Sequence, residues 1–421
     1  MSKSSLALNN LRAVIILVVL AVHASLAYLG SATPSAFDQP PYLWRAFPIV
    51  DAHRWYGFDI FCAWTDISLM VLLFFVSALF SWPSLARKGT AKFLADRFQR
   101  LGIPFLFGVL VLMPLSLYAV YLTTAHDRSF SAYVHHLLAL PIWDNGPMWF
   151  LGQLLALTVI AGALHRFAPR WIESLGKLSA HAGARPDLYF LGLTTAAVLA
   201  YVPMALLFTP MAWIDRGPVS VQLCRPLLYL VFYLAGLGVG AQSFDRGLLA
   251  SDGALARRWG WWLAGNALAF VSWLGLMGLS LLTKSPPLVL QVTIDIVFAI
   301  AASTGCFAAL ALSVRFAGTY SRALDRLSKH ALGYYVVHYP FSVWLQYALL
   351  GVALFAFVKA MIVLTLSLLA SWALITLLGA IPFGSLLVGE TSGPLRIVFP
   401  ARFRSRTQKP AASIPLVSNP H

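Results

Sequence analysis

Ten apolar stretches follow one another along the chain, separated by shorter polar segments. Each is roughly 17 to 25 residues long, the length that a helix needs to cross the hydrocarbon core of a bilayer. They lie near 11–29, 60–82, 103–122, 147–164, 188–207, 226–243, 260–282, 290–314, 331–349 and 358–379. The last two are joined by "GVALFAFV", so we expect a bend near Gly351. The pattern predicts an all-α polytopic membrane protein, a bundle of about ten transmembrane helices.

The basic residues orient this bundle. If the N-terminus is cytoplasmic, 23 of the 30 Lys and Arg residues lie on the inner side and 7 outside, as the positive-inside rule requires. Both termini are then cytoplasmic, because ten spans return the chain to its starting side. The formal charge of +15 reflects this bias and attraction to anionic headgroups. Because the basic residues are dispersed over short loops, we expect no nucleic-acid partner.

Composition supports a membrane domain over most of the chain. Of the 421 residues, 59% are hydrophobic and 11% charged, whereas soluble proteins keep about a quarter of their residues charged. We expect one membrane domain over 1–400 and a short basic cytoplasmic tail over 401–421. The start of the chain is similar to a secretory signal, but a His in the apolar run and nine further spans favour a retained helix. The three cysteines lie far apart, so no metal site is expected.

Two ionisable residues share one face of the first span. Arg12 and His23 are eleven residues apart, and eleven steps of about 100° bring a helix to within about 20° of its starting direction, some 16 Å along its axis. Arg12 lies at the cytoplasmic edge and His23 lies past the midplane. Singly, they are explained by a snorkelling arginine and a hydrogen-bonded core histidine. Together they indicate two ends of a channel for a long anionic substrate.

Sequence motifs at five places, in order along the chain, resemble one family. "LNNLRAVIILVVLAVH" matches its first helix, and "DISLMVLLFFVSALF" its second, with Ala78 where Gly is usual. "FLADRFQRLGIP" carries an Arg-x-x-Arg pair, Arg97 and Arg100. "GPMWFLGQLLAL" resembles a helix start at Trp149, and "YYVVHYPF" a late element with His338. The ordered set resembles the integral-membrane acyltransferase family 3, whose members include O-antigen acetylases and periplasmic glucan succinyltransferases.

The resemblance implies a donor site for acyl-CoA on the cytoplasmic side. Arg97 and Arg100, at i and i+3, lie on one helix face, and guanidinium groups can bind phosphate bidentately. Without the family pattern, positive-inside charge explains the pair. With the pattern, the pair is a candidate site for the phosphates of acyl-CoA, helped by Arg12 and Lys92. The acyl thioester then points along the first helix toward His23.

His23 is the candidate catalytic residue. A neutral imidazole can take the proton from an acceptor hydroxyl, or can carry the acyl group as a transient acyl-imidazole. Asp66, at equal depth on the second helix, is either a catalytic partner that fixes the tautomer of the imidazole or a structural hydrogen-bonding group. Trp149 and His338 are assigned to substrate binding, with His338 as a packing or donor-tunnel residue nearer the cytoplasmic end of its helix.

The predicted function is transfer of an acetyl or succinyl group from cytoplasmic acyl-CoA to a hydroxyl of an extracytoplasmic or membrane-linked glycan. The resemblance implies no cofactor besides this donor, and a multi-pass location in the bacterial inner membrane. The bilayer and an envelope protein are the other expected partners. The alternative is a secondary transporter or flippase with an intramembrane path of Arg, His and Asp residues. Such folds commonly show internal repeats, which the sequence lacks.

Overall fold

The computed structural model describes residues 2–210, 212–242 and 247–390 and is 76% helical. The helices of the first half are α1 (Lys3–Ser25), α2 (Tyr56–Leu79), α3 (Ser81–Lys88), α4 (Thr90–Arg97), α5 (Ile103–Phe107), α6 (Met113–Leu122), α7 (Phe130–Ala139), α8 (Trp149–Phe167), α9 (Pro169–His181) and α10 (Pro186–Phe208). Those of the second half are α11 (Pro226–Gly240), α12 (Ala254–Arg257), α13 (Trp259–Leu282), α14 (Leu288–Phe316), α15 (Arg322–Lys329), α16 (Ala331–Ala348), α17 (Ala356–Ala380) and α18 (Gly384–Leu387). An antiparallel hairpin, β1 (Trp213–Arg216) and β2 (Val219–Gln222), precedes α11.

Eight helical runs within the described residues are long and apolar enough to cross a membrane, and each coincides with a predicted stretch. The other two predicted stretches are also helical, but α11 has 15 residues and α16 has 18. The all-α membrane fold is therefore confirmed, and the prediction of about ten spans holds approximately. Gly351, between α16 and α17, adopts a φ of 77°, which places the predicted bend. The tail over 401–421 lies outside the described residues.

Both ends of the described chain lie at the same end of the bundle. Asn9, near the start of α1, donates to Asp325 of α15 at 3.3 Å and accepts from Ser328 at 2.7 Å. His330, directly after α15, contacts Glu390 at the end of the described chain. This arrangement is what an even number of spans requires. That this end is cytoplasmic stays a prediction from the basic residues.

Helix α1 runs through the middle of the bundle, where it packs against α2, α14, α15, α16 and α17. Helix α11 packs on α2 with its backbone close to that of its neighbour. A Cβ atom at Gly236 or Gly240 would lie 2.2 Å from a carbonyl oxygen of Phe75 or Leu79. Small residues that allow such close approach are typical of helix pairs in membranes. The α2–α11 pair is therefore fixed by close backbone contact.

The loop after α1 is fixed to the bundle by a buried ion pair. Lys359 of α17 donates to the Asp51 carboxylate at 2.7 Å, and both side chains are fully buried. The backbone N–H of Asp51 also donates to the Ala27 carbonyl at 2.9 Å. Breaking such a pair would leave an uncompensated buried charge, which is strongly unfavourable. The loop is thus held against the C-terminal end of α1, where His23 lies.

Candidate active site

The ring of His23, in the last turn of α1, is oriented by two contacts. Its Nδ1 lies 2.9 Å from the Val19 carbonyl oxygen and 3.1 Å from Nε2 of His338 on α16. His338 is fully buried, and its own Nδ1 lies 2.8 and 3.0 Å from the carbonyl oxygens of Tyr335 and Tyr334. Since carbonyl oxygens only accept, neutral His338 carries its proton on Nδ1 and accepts at Nε2. Neutral His23 then carries its proton on Nδ1.

This tautomer leaves Nε2 of His23 with a free lone pair, because no described residue donates a hydrogen bond to it. His23 lines a cavity of about 170 Å³, the candidate catalytic cavity, formed by α1, α2, α8, α16 and the segment before α8. Its lining residues are Val19, Val22, His23, Cys62, Thr65, Asp66, Leu69, Met70, Pro147, Trp149, Phe150 and Tyr335. An imidazole with a free basic nitrogen at a cavity is suited to proton transfer or to nucleophilic attack.

Asp66 lines the same cavity, but its carboxylate is bound by Arg225 and makes no hydrogen bond to His23. Nη2 and Nη1 of Arg225 lie 2.6 and 3.1 Å from the two carboxylate oxygens. The Asp66 side chain is 51% exposed and that of Arg225 is 8% exposed. The position expected for a carboxylate at Nδ1 of His23 is taken by His338 instead. Asp66 and His23, predicted at equal depth, line one cavity, but depth does not fix hydrogen-bond partners.

Arg225 is a site residue that no sequence motif indicates. It directly precedes α11, and its guanidinium lies 4.8 Å from the centre of the Phe298 ring. In sequence, 159 residues separate it from Asp66, so no local spacing links the two. One signal was available: Arg225 lies at the predicted outer end of a span, against the positive-inside trend. A lone basic residue in that position indicates an acidic partner nearby.

His338 lies near the middle of α16, and the structure brings its ring to that of His23 with centroids 4.8 Å apart. The prediction from sequence is a position nearer the cytoplasmic end, with a role in packing or in a donor tunnel. Helix α16 also holds the end of α1, because Gln346 donates to the carbonyl oxygens of His23 and Ala24 at 2.7 and 3.2 Å. Contacts between α1 and α16 thus fix both the ring and the backbone of His23.

Three arginines come together toward the other end of α1. The Arg12 guanidinium lies 5.5 Å from the centre of the Phe80 ring, and Arg97 donates to Ser81 Oγ at 3.2 Å. Arg97 and Arg100 are close enough to Arg12 for their positive charges to repel it. Within the described residues, none of the three forms a salt bridge. Clustered guanidinium groups without a carboxylate partner are typical of sites for anions, phosphates in particular.

The chain around Arg97 and Arg100 is not a continuous α-helix. Arg97 ends α4, and Phe98–Gly102, which contains Arg100, forms a π-helical turn. A wider turn rotates Arg100 away from the direction that an i, i+3 spacing in an α-helix predicts. Single π turns inside helices often occur at functional sites. Lys92, the other basic residue predicted here, is exposed on α4.

Comparison with known proteins identifies the family. A family model described as an acyltransferase domain matches residues 5–376 of the chain. The chain belongs to acyltransferase family 3. All the candidate residues of this acyltransferase lie inside the matched range, and the resemblance seen in the motifs is confirmed. No curated protein and no solved structure gives a significant match to the chain.

Trp149, the first residue of α8, separates two cavities of the acyltransferase. One is the catalytic cavity, and the other is a groove of about 260 Å³ between α8 and α11, which we call the side groove. The Trp149 ring stacks on Tyr229 of α11 with centroids 5.9 Å apart. The preceding turn is held by Tyr335 of α16, whose hydroxyl donates to the Pro147 carbonyl. Both cavities of the acyltransferase therefore meet at one aromatic side chain.

Arg45, in the loop after α1, joins three segments on the hairpin side of the acyltransferase. Its Nη1 and Nη2 lie 2.9 and 2.8 Å from the carboxylate oxygens of Asp215 in β1, and its Nε lies 3.4 Å from Asp144. Burial raises the pKa of Asp144, although Arg45 opposes the shift. Burial also acts to raise the pKa of Asp215, but hydrogen bonds from Arg45 and Ser220 outweigh it and lower that pKa. The ion pairs of Arg45 thus connect the loop, the segment before α8 and the hairpin.

Proposed function

We propose that this membrane acyltransferase transfers an acetyl or succinyl group from cytoplasmic acyl-CoA to a hydroxyl of an extracytoplasmic or membrane-linked glycan. One observation carries the proposal: His23, with a free Nε2 at a cavity, lies on the same helix as Arg12 of the arginine cluster. Eleven residues of α-helix separate the two by about 16 Å. A long donor with phosphates at one end and a thioester at the other matches this arrangement.

The arginine cluster is the proposed site for the phosphates of acyl-CoA. Planar guanidinium groups bind phosphate oxygens bidentately, and Arg12, Arg97 and Arg100 lie together without a salt bridge among the described residues. With the phosphates held there, the extended part of the donor runs along α1 and its thioester reaches the catalytic cavity. The donor is a substrate, and the proposal needs no further cofactor.

In the proposed reaction, Nε2 of His23 takes the proton of the acceptor hydroxyl as the hydroxyl oxygen attacks the thioester carbonyl carbon. The tetrahedral intermediate then collapses, the carbon–sulfur bond breaks, and the CoA thiolate takes the proton from Nε2. The products are an ester and CoA. His338 accepts the hydrogen bond from Nδ1–H and stabilises the transient imidazolium. If the acyl group first bonds to His23, the same free Nε2 is the nucleophile.

Asp66 has a different proposed task from that of a triad carboxylate. Arg225 binds both of its oxygens, yet the Asp66 side chain is 51% exposed and lines the catalytic cavity. A carboxylate oxygen has more than one lone pair, so it can accept from an acceptor hydroxyl while bound to Arg225. Asp66 then orients the acceptor, and His338 supports the base.

The proposal has consequences for location and partners. Acyl-CoA is cytoplasmic and the proposed glycan is outside, so the protein belongs in a membrane that separates the two, the bacterial inner membrane. The bilayer is the solvent for the spans, and an envelope protein that presents the glycan is a further proposed partner. The alternative of a secondary transporter predicts dependence on a gradient, which the following experiment tests.

The test uses the purified full chain in proteoliposomes without any gradient, with radiolabelled acetyl-CoA and succinyl-CoA as donors. We expect transfer to added glycan, and a loss on the order of 10² to 10⁴ in His23→Ala and His23→Gln, since neither side chain can accept the proton. Acyl-CoA affinity should stay nearly unchanged in both variants. His181→Gln, at an exposed histidine of α9, is the matched control. Near-normal turnover of His23→Gln, or transfer that requires a gradient, would contradict the proposal.

A further inference from the structure

The side groove has walls from α8 and α11, and β2 contributes further lining residues. Among its lining residues, Ile160, Leu227 and Val219 are exposed on the outside of the bundle. The groove is therefore open sideways, between α8, which is long enough to cross the membrane, and the shorter apolar helix α11. In a bilayer this opening faces hydrocarbon, so the groove is accessible to lipid chains without passage through water.

Polar groups are unevenly distributed along the side groove. Asn145, Gln153 and Ser220 line it together with Trp149, and Gln153 is one helical turn beyond Trp149. Ile160 follows eleven residues after Trp149, about 16 Å farther along α8, and that part of the α8 wall is apolar. The side-chain amide of Gln153 makes no hydrogen bond to a described residue. The groove is thus polar at the Trp149 end and apolar beyond it, a pattern that fits an amphiphile.

The polar end of the side groove adjoins the catalytic cavity. Trp149 lines both, and its partner Tyr229 supports the ring from α11. A molecule whose chain lies between α8 and α11 would therefore present its headgroup at Trp149, beside the cavity that contains His23. Because the side groove adjoins the catalytic cavity, an amphiphile in the groove would bring its headgroup hydroxyls to the proposed base. This arrangement favours an amphiphilic acceptor as the ligand of the groove.

We propose that the side groove binds the hydrocarbon chain of a lipid-linked acceptor, a glycolipid whose sugar headgroup passes Trp149 into the catalytic cavity. The inference rests on the proposed function for the acylation of the headgroup, but binding of the hydrocarbon chain can be measured separately. Substitutions that fill the groove from either wall should exclude the chain. Ala156→Leu fills it from α8 and Leu227→Trp fills it from α11, and both positions are exposed, so the bundle tolerates larger side chains there.

The experiment uses the full chain in phosphatidylcholine nanodiscs with a photoactivatable alkyl glucoside that carries a diazirine in its chain. We expect crosslinks on residues 149–160 and 219–230, competed by unlabelled dodecyl glucoside. Both variants should reduce them about tenfold or more, the discrimination that a filled apolar pocket gives. Ala163→Leu is the matched control, because Ala163 is exposed on α8, two turns beyond Ala156 and outside the groove. It should crosslink like the unmodified chain.

Three results would overturn the inference. Equal labelling by a photoactivatable phosphatidylcholine, without competition by dodecyl glucoside, would show ordinary bilayer lipid in the groove. Competition by palmitoyl-CoA alone would assign the groove to the donor. Unchanged crosslinks in both Ala156→Leu and Leu227→Trp would place the chain elsewhere. Because the crosslinks need no turnover, an inactive enzyme that still labels as expected would contradict the proposed function and support the groove.

An activity measurement adds a second readout. In Ala156→Leu, the KM for dodecyl glucoside as acceptor should rise about tenfold, while kcat/KM for glucose, which has no chain, stays unchanged. Ala163→Leu should alter neither. An equal loss with both acceptors would mean that the substitution disturbs the catalytic cavity, and the groove would not be a chain site.

Discussion

One hydrogen bond determines which nitrogen of His23 can act. Because His338 uses its Nδ1–H on two carbonyl oxygens, its Nε2 can only accept, and His23 must donate through Nδ1. A carboxylate in this place would stabilise the imidazolium more strongly through its charge, but it would also bring a buried charge into the bundle. A neutral imidazole gives the orientation without that cost. His338 is therefore a positioning residue in this arrangement.

The role of His338 predicts a ranked set of variants. His338→Leu should lower turnover about tenfold or more, because it removes a hydrogen bond to the charged imidazolium. His338→Gln keeps a carbonyl that can accept from His23 Nδ1–H, so it should retain most of the turnover. In a His23→Gln background, His338→Leu should cost nothing further, because the two act as a unit. Steady-state kinetics with acyl-CoA affinity measured in parallel checks this. Equal and additive losses would indicate a packing role alone.

At the scale of elements, α4 and the π turn Phe98–Gly102 determine how the arginines are presented. Arg97 ends α4 and Arg100 lies within the π turn, and both lie near Arg12 of α1. Arg97 is also fixed by Ser81 of α3. A regular α-helix would present the two side chains along one stripe. The π turn instead spreads them around the space that we assign to the phosphates.

Substitution of Arg97 or Arg100 by Ala should each weaken acyl-CoA binding by about ten- to a hundredfold, because each removes a hydrogen bond between charged groups. Lys should restore binding only in part, because the bidentate geometry is lost. Arg87→Ala, at an exposed arginine of α3, controls for general loss of positive charge. Isothermal titration with a non-hydrolysable acyl-CoA analogue measures the affinities. Unchanged affinity in both Ala variants would move the donor site elsewhere.

A second element-scale prediction concerns Arg45, which ties the loop after α1 to the hairpin. Arg45→Gln leaves the buried Asp144 without its charged partner and should lower the stability by on the order of 2 kcal/mol. Adding Asp144→Asn removes the uncompensated charge and should recover part of that loss. Thermal unfolding followed by tryptophan fluorescence compares the three proteins. If the double variant were less stable than Arg45→Gln, charge compensation would not be the reason for the contact.

At the scale of the whole molecule, the sequence predicted the helices well and their partners poorly. The length of each apolar run carries the information for a span, so all eight long runs were found, five of them to within three residues at both ends. The π turn Phe98–Gly102 was not predicted, and α11 was predicted longer than its 15 residues, because composition does not show how a backbone turn is wound. His23 was found from its depth and spacing. Its contact with His338 and the Arg225 contact with Asp66 depend on tertiary packing between distant segments.

The predicted orientation of the bundle can be tested by cysteine labelling in intact cells. Arg216→Cys, exposed on the hairpin, should react with a membrane-impermeant maleimide from outside. Lys177→Cys, exposed on α9, should react only after permeabilisation, because the basic residues place α9 inside. The unmodified chain measures the background from its own cysteines. Labelling in the reverse pattern would invert the topology and separate His23 from the side assigned to the glycan.

The partners of α1 also govern the order in which the molecule can be assembled during synthesis. Its hydrogen bonds to α15, α16 and the segment after α14 join residues that are 307 to 323 positions apart in sequence. Such distant pairings form late, since domains and helices are completed in the order of translation. The first span inserted therefore resides in the bilayer without these partners until the ninth has emerged. A chain interrupted before α16 would contain most of its helices and no paired imidazoles.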